Sequence, residues 1–504
     1  MEKNIFKNLI ILDLANNHFG DQKHAKKIID TFSKIIKKKK LNATIKFQFR
    51  DLDTFIHPNA INSSQKYVKR FLETKLSIEN FEKLFYKIKK NNIRTACTPF
   101  DEISINLIEK MKFDFLKIAS VSSQDFSLLE RSTYNKIPKI ISTGGLDLSK
   151  IDKIYSFFKK KKQNFALMHC VSIYPTNIKD LNIQVIKNLK ERYPEIPIGW
   201  STHESPEEYL PSAIALSSGA EIFERHIGIN TSKYRLNSYS SSPKIFEKWV
   251  DHLQKSMTIY GSYSKTKINK NESKTINRLQ RGVFAKENIK RGEFLTINKN
   301  IFLAFPKKEG QLSAEDFKDK KTKARVNFSK NLPIMKNLIK LDDKVKNEYK
   351  IRSYVHQAKA MLNYNKIKIA DKFEMEISHH KGIKNFRKIG CFLLNLVNKK
   401  YAKKILIMLP NQKHPKHSHK IKEESFIINF GELTLNDNNK KYFLKEGDII
   451  HLKKGSWHTF KSGNRGCIFE EISTTSFKND SFYKEKKIDL IKRENRKTII
   501  NKWI

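Results

Sequence analysis

Between residues 8 and about 262 the chain alternates short β-rich runs with longer helical ones. That alternation restricts the fold more than any other feature. The β-rich runs are "LIILDLA" (9–15), "TIKFQF" (44–49), "RTACTPF" (94–100), "DFLKIAS" (114–120), "KIISTGG" (139–145), "FALMHCVS" (165–172), "IGWSTH" (198–203) and "EIFERHIGI" (221–229). Patterns such as "HAKKIIDTFSKIIKKKK", "FEKLFYKIKK" and "LSKIDKIYSFFKKKK" separate them. Strands that alternate with helices build parallel sheets. Eight such units in about 250 residues match the size of a (β/α)8 TIM barrel. The rival, a doubly wound open sheet, lacks its Gly-x-Gly-x-x-Gly after the first strand. The expected class is therefore α/β, with a TIM barrel over 1–265.

The helical pattern "SPKIFEKWVDHLQKSMTIYG" closes that unit. A small β-rich domain is expected over 275–340, a charged connector with some helix over 341–370, and a domain of strands and turns over 371–504. With 504 residues, two to four domains are the expectation.

A formal net charge of +47 invites a nucleic-acid reading. Lysine is abundant throughout, however, and the runs Lys37–Lys40 and Lys159–Lys162 fall at the ends of helical stretches. They read as solvated faces that also attract anionic substrates. No nucleic-acid partner is expected. The four cysteines, Cys97, Cys170, Cys391 and Cys467, lie in apolar runs without a Cys-x-x-Cys pair. Buried, reduced thiols and a cytoplasmic location follow. The first apolar run is too short to span a membrane and contains Asp13, so neither a membrane segment nor a signal peptide is expected.

Barrel chemistry lies at the C-terminal ends of the strands. Polar residues collect there: Asp13, Asn17 and His18 at strand one; Lys46 and Gln48 at two; Thr98 at three; Lys117 and Ser120 at four. Ser142 and Thr143 follow at five, His169, Ser172 and Tyr174 at six, Ser201 and His203 at seven, and Glu224, Arg225 and His226 at eight. Lysines and hydroxyls converging from several strands suit an anion with phosphate or carboxylate oxygens. Unpaired lysines at one mouth would be costly without such an anion. His203 and His226, on adjacent strands, suit one divalent metal.

The stretches "LDLANNHFGD", "IKFQ", "CTPFDE", "LKIAS", "ISTGG", "HCVSIYP", "GWSTH" and "ERHIG" occur in that order. Together they resemble the sialic acid synthase (NeuB-like) family, and "RGVFAKENIKRGEFLT" resembles its antifreeze-like (SAF) domain. The resemblance implies a transferase that joins phosphoenolpyruvate, as co-substrate, to a mannosamine-type aldehyde, forming a carbon–carbon bond and a nine-carbon 2-keto acid. It places Lys46, Thr98, Lys117, Ser120, Ser142 and Ser201 on phosphoenolpyruvate, and Mn²⁺ or Mg²⁺ on His203 and His226 as a Lewis acid. Tyr174 would line the sugar site and Asp13 would act on the attacking water. It also implies a homodimer. The chain departs from the family pattern at Asp13 (usually Glu), Ser172 (usually Asn), Asn237 (usually Asp) and Phe305 (usually Arg). Other readings of the barrel are a synthase of a different 3-deoxy-2-keto sugar acid and a non-catalytic sugar-binding scaffold.

Near the C-terminus, "HSHKIKEESFIINFG" carries His417, His419 and Glu424 on what reads as the two strands of a β-hairpin, followed by Gly431. "EGDIIHLKKGSWH" adds Gly447, Gly455 and His458. The spacing fits a cupin β-barrel, with Lys453 where a proline is usual and Ser462 where an asparagine is usual. Three histidines and a glutamate suit Mn²⁺, Fe²⁺, Zn²⁺ or Ni²⁺. "EMEISHHKG", "HPKHSHKIKEE" and "FEEIST" resemble sugar-isomerase cupins of the D-lyxose isomerase type. A sugar-handling module fused to a sugar-acid synthase is the expectation.

Overall fold

The computed structural model describes residues 5–262, 268–314, 322–341, 343–369 and 373–501. The chain divides into two compact units, Met1–Lys265 and Thr266–Ile504. The expected boundaries at 265 and between 370 and 371 lie outside the described residues.

The first unit is a closed parallel barrel of eight strands. They are β1 (Leu9–Asp13), β2 (Ala43–Phe49), β3 (Arg94–Pro99), β4 (Phe115–Ile118), β5 (Lys139–Ser142), β6 (Phe165–Cys170), β7 (Ile198–Ser201) and β8 (Ile222–His226). Each falls inside the run expected for it or extends it by one residue. Alternation sorts the side chains of each strand. One set, including Leu9, Ile11, Phe115, Ile140, Met168 and Ile222, fills the barrel interior. The other, including Ile10, Leu12, Phe47, Leu116, Leu167 and Trp200, packs against the helices. Gly199 permits the interior packing, since a Cβ there would stand 2.7 Å from Ile222 Cβ. The helices begin at side-chain caps: Asp21, Ser77, Asp101, Asp125 and Asp147 each accept from a backbone N–H of the first turn. Lysines 37, 38, 159 and 160 lie in last turns, where a helix favours cations. All four cysteines are buried and free.

The second unit opens with short strands: Gly282–Ala285 pairs with Ile301–Ala304, and Thr322–Ala324 pairs with Phe294–Leu295 and Ile339–Leu341. Val283, Ile289, Leu295, Ile301, Leu312 and Ile334 form the core of this segment. The connector is expected to hold some helix. It holds a helix, Asp343–Tyr364, whose Val355, Ala358 and Leu362 share one buried cluster with Met375, Ile377, Phe392 and Ile407. These apolar positions recur at helical spacing among charged residues, so the helix covers an outer sheet face.

The remainder is antiparallel, with the long strands Glu424–Asp437 and His458–Thr474 at its centre. Leu406, Phe426, Leu433, Phe460 and Phe469 fill one core there. Gly431 has φ +78°, and a Cβ on it would collide with the Gly466 carbonyl. No other residue type fits both demands. The hairpin expected around His417 and Glu424 is not formed. The strand Lys413–Ser418 pairs with His458–Thr474 and Phe482–Tyr483 and not with Glu424–Asp437, which itself pairs along the length of His458–Thr474. The connecting turn is tied elsewhere, because Asp480 accepts from the N–H groups of Lys420, Ile421 and Lys422.

Among the described residues no helix is long and apolar enough to cross a membrane.

Candidate active site and metal centres

Strand register builds the barrel mouth. Asp13 lies beside Lys46 on β2 and beside His226 on β8. Gln48 lies beside Thr98, and Ser201 beside Glu224. The side chains that follow the interior alternation, Asp13, Lys46, Thr98, Lys117, Ser142, Glu224 and His226, form a polar layer above the apolar plug.

The lysines of that layer are paired, contrary to the expectation of unpaired cations. Lys46 Nζ lies 2.8 Å from Asp13 and 3.1 Å from Glu224. Lys117 Nζ lies 3.0 Å from Glu224. Lys46 also donates to Thr98 Oγ1 at 3.2 Å, and Lys117 to Ser142 Oγ at 2.7 Å. Burial opposes the charge on Lys46, but Asp13 and Glu224 outweigh it and hold its pKa above the usual lysine range. Burial likewise opposes the Glu224 carboxylate, yet Lys117 and Lys46 bring its pKa down to about 2. Sequence inspection placed Glu224 at this mouth but missed its part as the shared counter-ion of both lysines.

His203 Nδ1 donates to the Val171 carbonyl at 3.1 Å. A carbonyl only accepts, so Nε2 is left as a lone pair. Burial, then the neighbouring His226, lowers the His203 pKa to about 3. Burial also lowers that of His226, partly offset by Asp13. The rings are 5.2 Å apart, and His226 Nε2 stands 3.6 Å from Asp13 Oδ2. Two neutral imidazoles beside a carboxylate make a donor set that fits a divalent cation.

Ser120 and Ser172 converge on Gly144, whose N–H donates to Ser120 Oγ at 3.1 Å. A Cβ on Gly144 would strike both hydroxyls, which accounts for the glycine in "ISTGG". Tyr174 packs against His203, with ring centres 4.3 Å apart. Asn237 Oδ1 accepts from the Tyr239 N–H at 3.2 Å. Tyr239, which sequence reasoning missed, packs 5.2 Å from His226 and 5.6 Å from Tyr174. Four strand-end residues leave the candidate set. Asn17 ties Ile227 to Ser240, Thr143 donates to Met168, His169 Nε2 donates to Leu181, and Arg225 pairs with buried Glu204 at 3.0 Å.

The C-terminal centre is denser. One ligand atom from each of His417, His419 and His458 falls within a 4.8 Å group. Each donates through Nδ1 to a carbonyl: His417 to Pro415 at 3.0 Å, His458 to Ser456 at 3.2 Å, and His419 to Asp480. The three Nε2 lone pairs are thereby turned to one point. Glu424 completes the set, with Oε2 3.3 Å from His458 Nε2. Both atoms are buried and lack a hydrogen-bond partner among the described residues. Two such atoms facing each other at that distance fit a shared cation. Lys422, absent from the expected set, bonds Glu424 and lies 2.8 Å from Glu471, which also takes Lys404 at 3.0 Å. A cavity of ≈ 200 Å³ opens onto this centre.

A closed (β/α)8 barrel with a charged layer at its mouth, followed along the chain by a histidine-bearing antiparallel domain, defines the class. The chain belongs to the NeuB family, whose model matches residues 35–265, and the cupin domain model matches residues 404–467. It is similar to N-acetylneuraminate-9-phosphate synthase of Drosophila melanogaster, 32% identical over 44% of this chain and 61% of that one. It is also similar to N,N'-diacetyllegionaminic acid synthase of Campylobacter jejuni, 27% identical over 58% and 88%. A solved relative is spore coat polysaccharide biosynthesis protein E of Chromobacterium violaceum. It is 36% identical, with a TM-score of 0.63, over 66% of this chain and 100% of that one.

Proposed function

We propose that the barrel is a phosphoenolpyruvate-dependent synthase of a nonulosonic, sialic-acid-like 2-keto acid, and that the cupin is a metal-binding, sugar-handling module. One observation carries the first part. Lys46, Lys117 and the hydroxyls of Thr98, Ser120, Ser142 and Ser201 converge from five strands at the barrel mouth, beside two neutral histidines. The named activities of the relatives, syntheses of neuraminic and legionaminic acids, support the same reading.

Lys46 and Lys117 hold the carboxylate and phosphate of phosphoenolpyruvate, and the hydroxyls donate to the remaining oxygens. In the free enzyme Asp13 and Glu224 neutralise the two ammoniums. Phosphoenolpyruvate therefore brings net negative charge; a divalent cation, which His203 and His226 would hold, would balance it and supply Lewis acidity. Carbon 3 of phosphoenolpyruvate attacks the aldehyde carbon, water adds to carbon 2, and phosphate departs. Asp13 accepts the proton of that water, and Lys46, 2.8 Å away, steadies its carboxylate. Tyr174 and Tyr239 flank the sugar. In the cupin, His417, His419, Glu424 and His458 hold a second divalent cation.

A mass-spectrometric screen of N-acylated hexosamines with phosphoenolpyruvate and Mn²⁺ tests this reading. A product equal in mass to aldehyde plus phosphoenolpyruvate plus water minus phosphate supports it. No such product across the panel contradicts it and favours a sugar-binding scaffold.

A further inference from the structure

Between β2 and the helix Ile78–Lys90 the chain makes a long excursion that carries the short helices Leu52–Phe55 and Lys66–Glu73. Its last turn rests on the loop after β1: a Cβ at Gly20 would stand 3.0 Å from the Glu73 carbonyl oxygen and 3.3 Å from that of Lys75. Beneath this turn is a cavity of ≈ 360 Å³, walled by His18, Gln48, Arg50, Phe71, Lys75 and Phe81 among others. Gln48 joins it to the charged layer. Its amide donates to Asp13 Oδ2 at 3.2 Å, and its carbonyl accepts from Arg50 Nη2 at 3.1 Å. A single carboxamide thus separates the reacting end of the barrel from the Arg50 fork.

Beyond its bond to Gln48, Arg50 is held by rings. Its guanidinium carbon lies 3.6 Å from the Phe100 ring centre and 4.2 Å from that of Phe71. Its Nε is buried with no partner among the described residues, and none of their carboxylates pairs with it within 4.0 Å. Burial lowers its pKa to about 10, so it stays charged at neutral pH. The nearby acids are committed elsewhere. Asp51 accepts from Thr54 Oγ1 at 2.6 Å, and Asp101 accepts from the N–H groups of Asp51 and Ser104. Asp53 pairs with Lys75 at 3.6 Å, and Arg70 adds a further positive charge. A guanidinium drawn from water with its Nε unpaired is costly unless a ligand completes its fork. Fixed between two rings, that planar fork suits bidentate contact with an oxyanion.

We propose that Arg50, with Lys75 at the cavity wall, receives an oxyanion carried by the acceptor sugar at the end away from its aldehyde, so that the chain takes a phosphorylated or carboxylated N-acyl hexosamine in preference to a neutral one. The assignment rests on reading the barrel as a synthase. It adds the acceptor's charge, which the lysine pair and the histidines leave open.

Calorimetry on the full chain tests it, with phosphoenolpyruvate present and divalent metal absent. The probes are N-acetylmannosamine, its 6-phosphate and its 6-carboxylate. At least one anionic sugar binds ten times or more tighter than the neutral sugar, and the two anionic arms identify which oxyanion is taken. Arg50→Met lowers that preference about ten- to a hundredfold. Arg50→Lys, which keeps the charge and loses the fork, recovers only part of it at an unchanged melting temperature. Lys75→Met, at an exposed position, lowers the preference without a folding penalty. Equal or undetectable binding of all three sugars, or an undiminished preference in Arg50→Met, overturns the proposal. Phosphate release from phosphoenolpyruvate is read separately. Anion preference without any release supports this subsite and contradicts the synthase reading.

Discussion

Replacing Glu224 by glutamine removes the one carboxylate shared by two buried lysines. Lys46 and Lys117 are each 3% exposed, so neither can turn to water. Lys46 keeps Asp13 at 2.8 Å, but Lys117 keeps only the Ser142 hydroxyl at 2.7 Å. Breaking a buried ion pair from one side costs ~3–5 kcal/mol. Because one of the two lysines stays paired, the lower end, about 3 kcal/mol, is expected. For a unit of this size that is a fall of roughly 6–12 °C in melting temperature. Scanning calorimetry of the full chain reads it in the transition that phosphoenolpyruvate shifts. Phosphoenolpyruvate should also raise that transition more in Glu224→Gln than in the parent, because its anionic groups then meet an uncompensated Lys117. A transition within about 2 °C of the parent would refute the pairing argument. A smaller ligand shift in the variant would refute the placement of the anion.

Lys46→Ala and Lys117→Ala should each raise KM for phosphoenolpyruvate about ten- to a hundredfold, the loss of one charge-assisted contact in a closed site; steady-state kinetics with a fixed aldehyde measures it. Asp13→Asn should lower kcat about a hundred- to ten-thousandfold with phosphoenolpyruvate affinity nearly unchanged, and Asp13→Glu should recover part of the loss. His458→Ala or Glu424→Ala should reduce bound metal by about one equivalent per chain, by elemental analysis, while condensation with a supplied aldehyde persists. Burial, with Lys136 nearby, lowers the Lys139 pKa to about 7. The unfolded chain therefore binds the extra proton between that pH and the ordinary lysine pKa. The stability of the parent relative to Lys139→Met should accordingly grow as pH rises from about 7 to 10, which urea titrations across that range would show.

The eight barrel strands were legible because each is a short β-rich run set off from the next by a longer helical one, the order a parallel barrel requires. Side-chain alternation along those strands separates Lys46, Lys117 and His226, which follow the interior set, from His169 and Arg225, which are satisfied outside it. What the chain did not reveal by inspection was which groups meet across strands. Glu224 on β8 reaches both β2 and β4, a meeting set by barrel closure and not by spacing in sequence. Lys422 and Glu471 were hidden for a related reason. They pair between the turn before Glu424–Asp437 and the strand His458–Thr474, 49 residues apart. The hairpin reading of His417 and Glu424 failed because Asp480, far along the chain, captures the connecting turn. The segment over 343–364 was legible as partly helical, but its packing role was not: its apolar positions are few, and they count only once a sheet face is there to receive them. Arg50 carried no motif at all. Its interest comes from the rings that clamp it and from the partner its Nε lacks among the described residues.

The central claim is that the barrel joins phosphoenolpyruvate to an aldehyde with loss of phosphate from carbon 2. Phosphoenolpyruvate labelled with heavy oxygen at its bridging ester position tests this most directly, in a reaction with the best acceptor from the screen. Attack of water at carbon 2 breaks the carbon–oxygen bond, so the label should leave entirely in inorganic phosphate, and its release should require the aldehyde. Label retained in the organic product, or phosphate released equally without an aldehyde, would contradict the account.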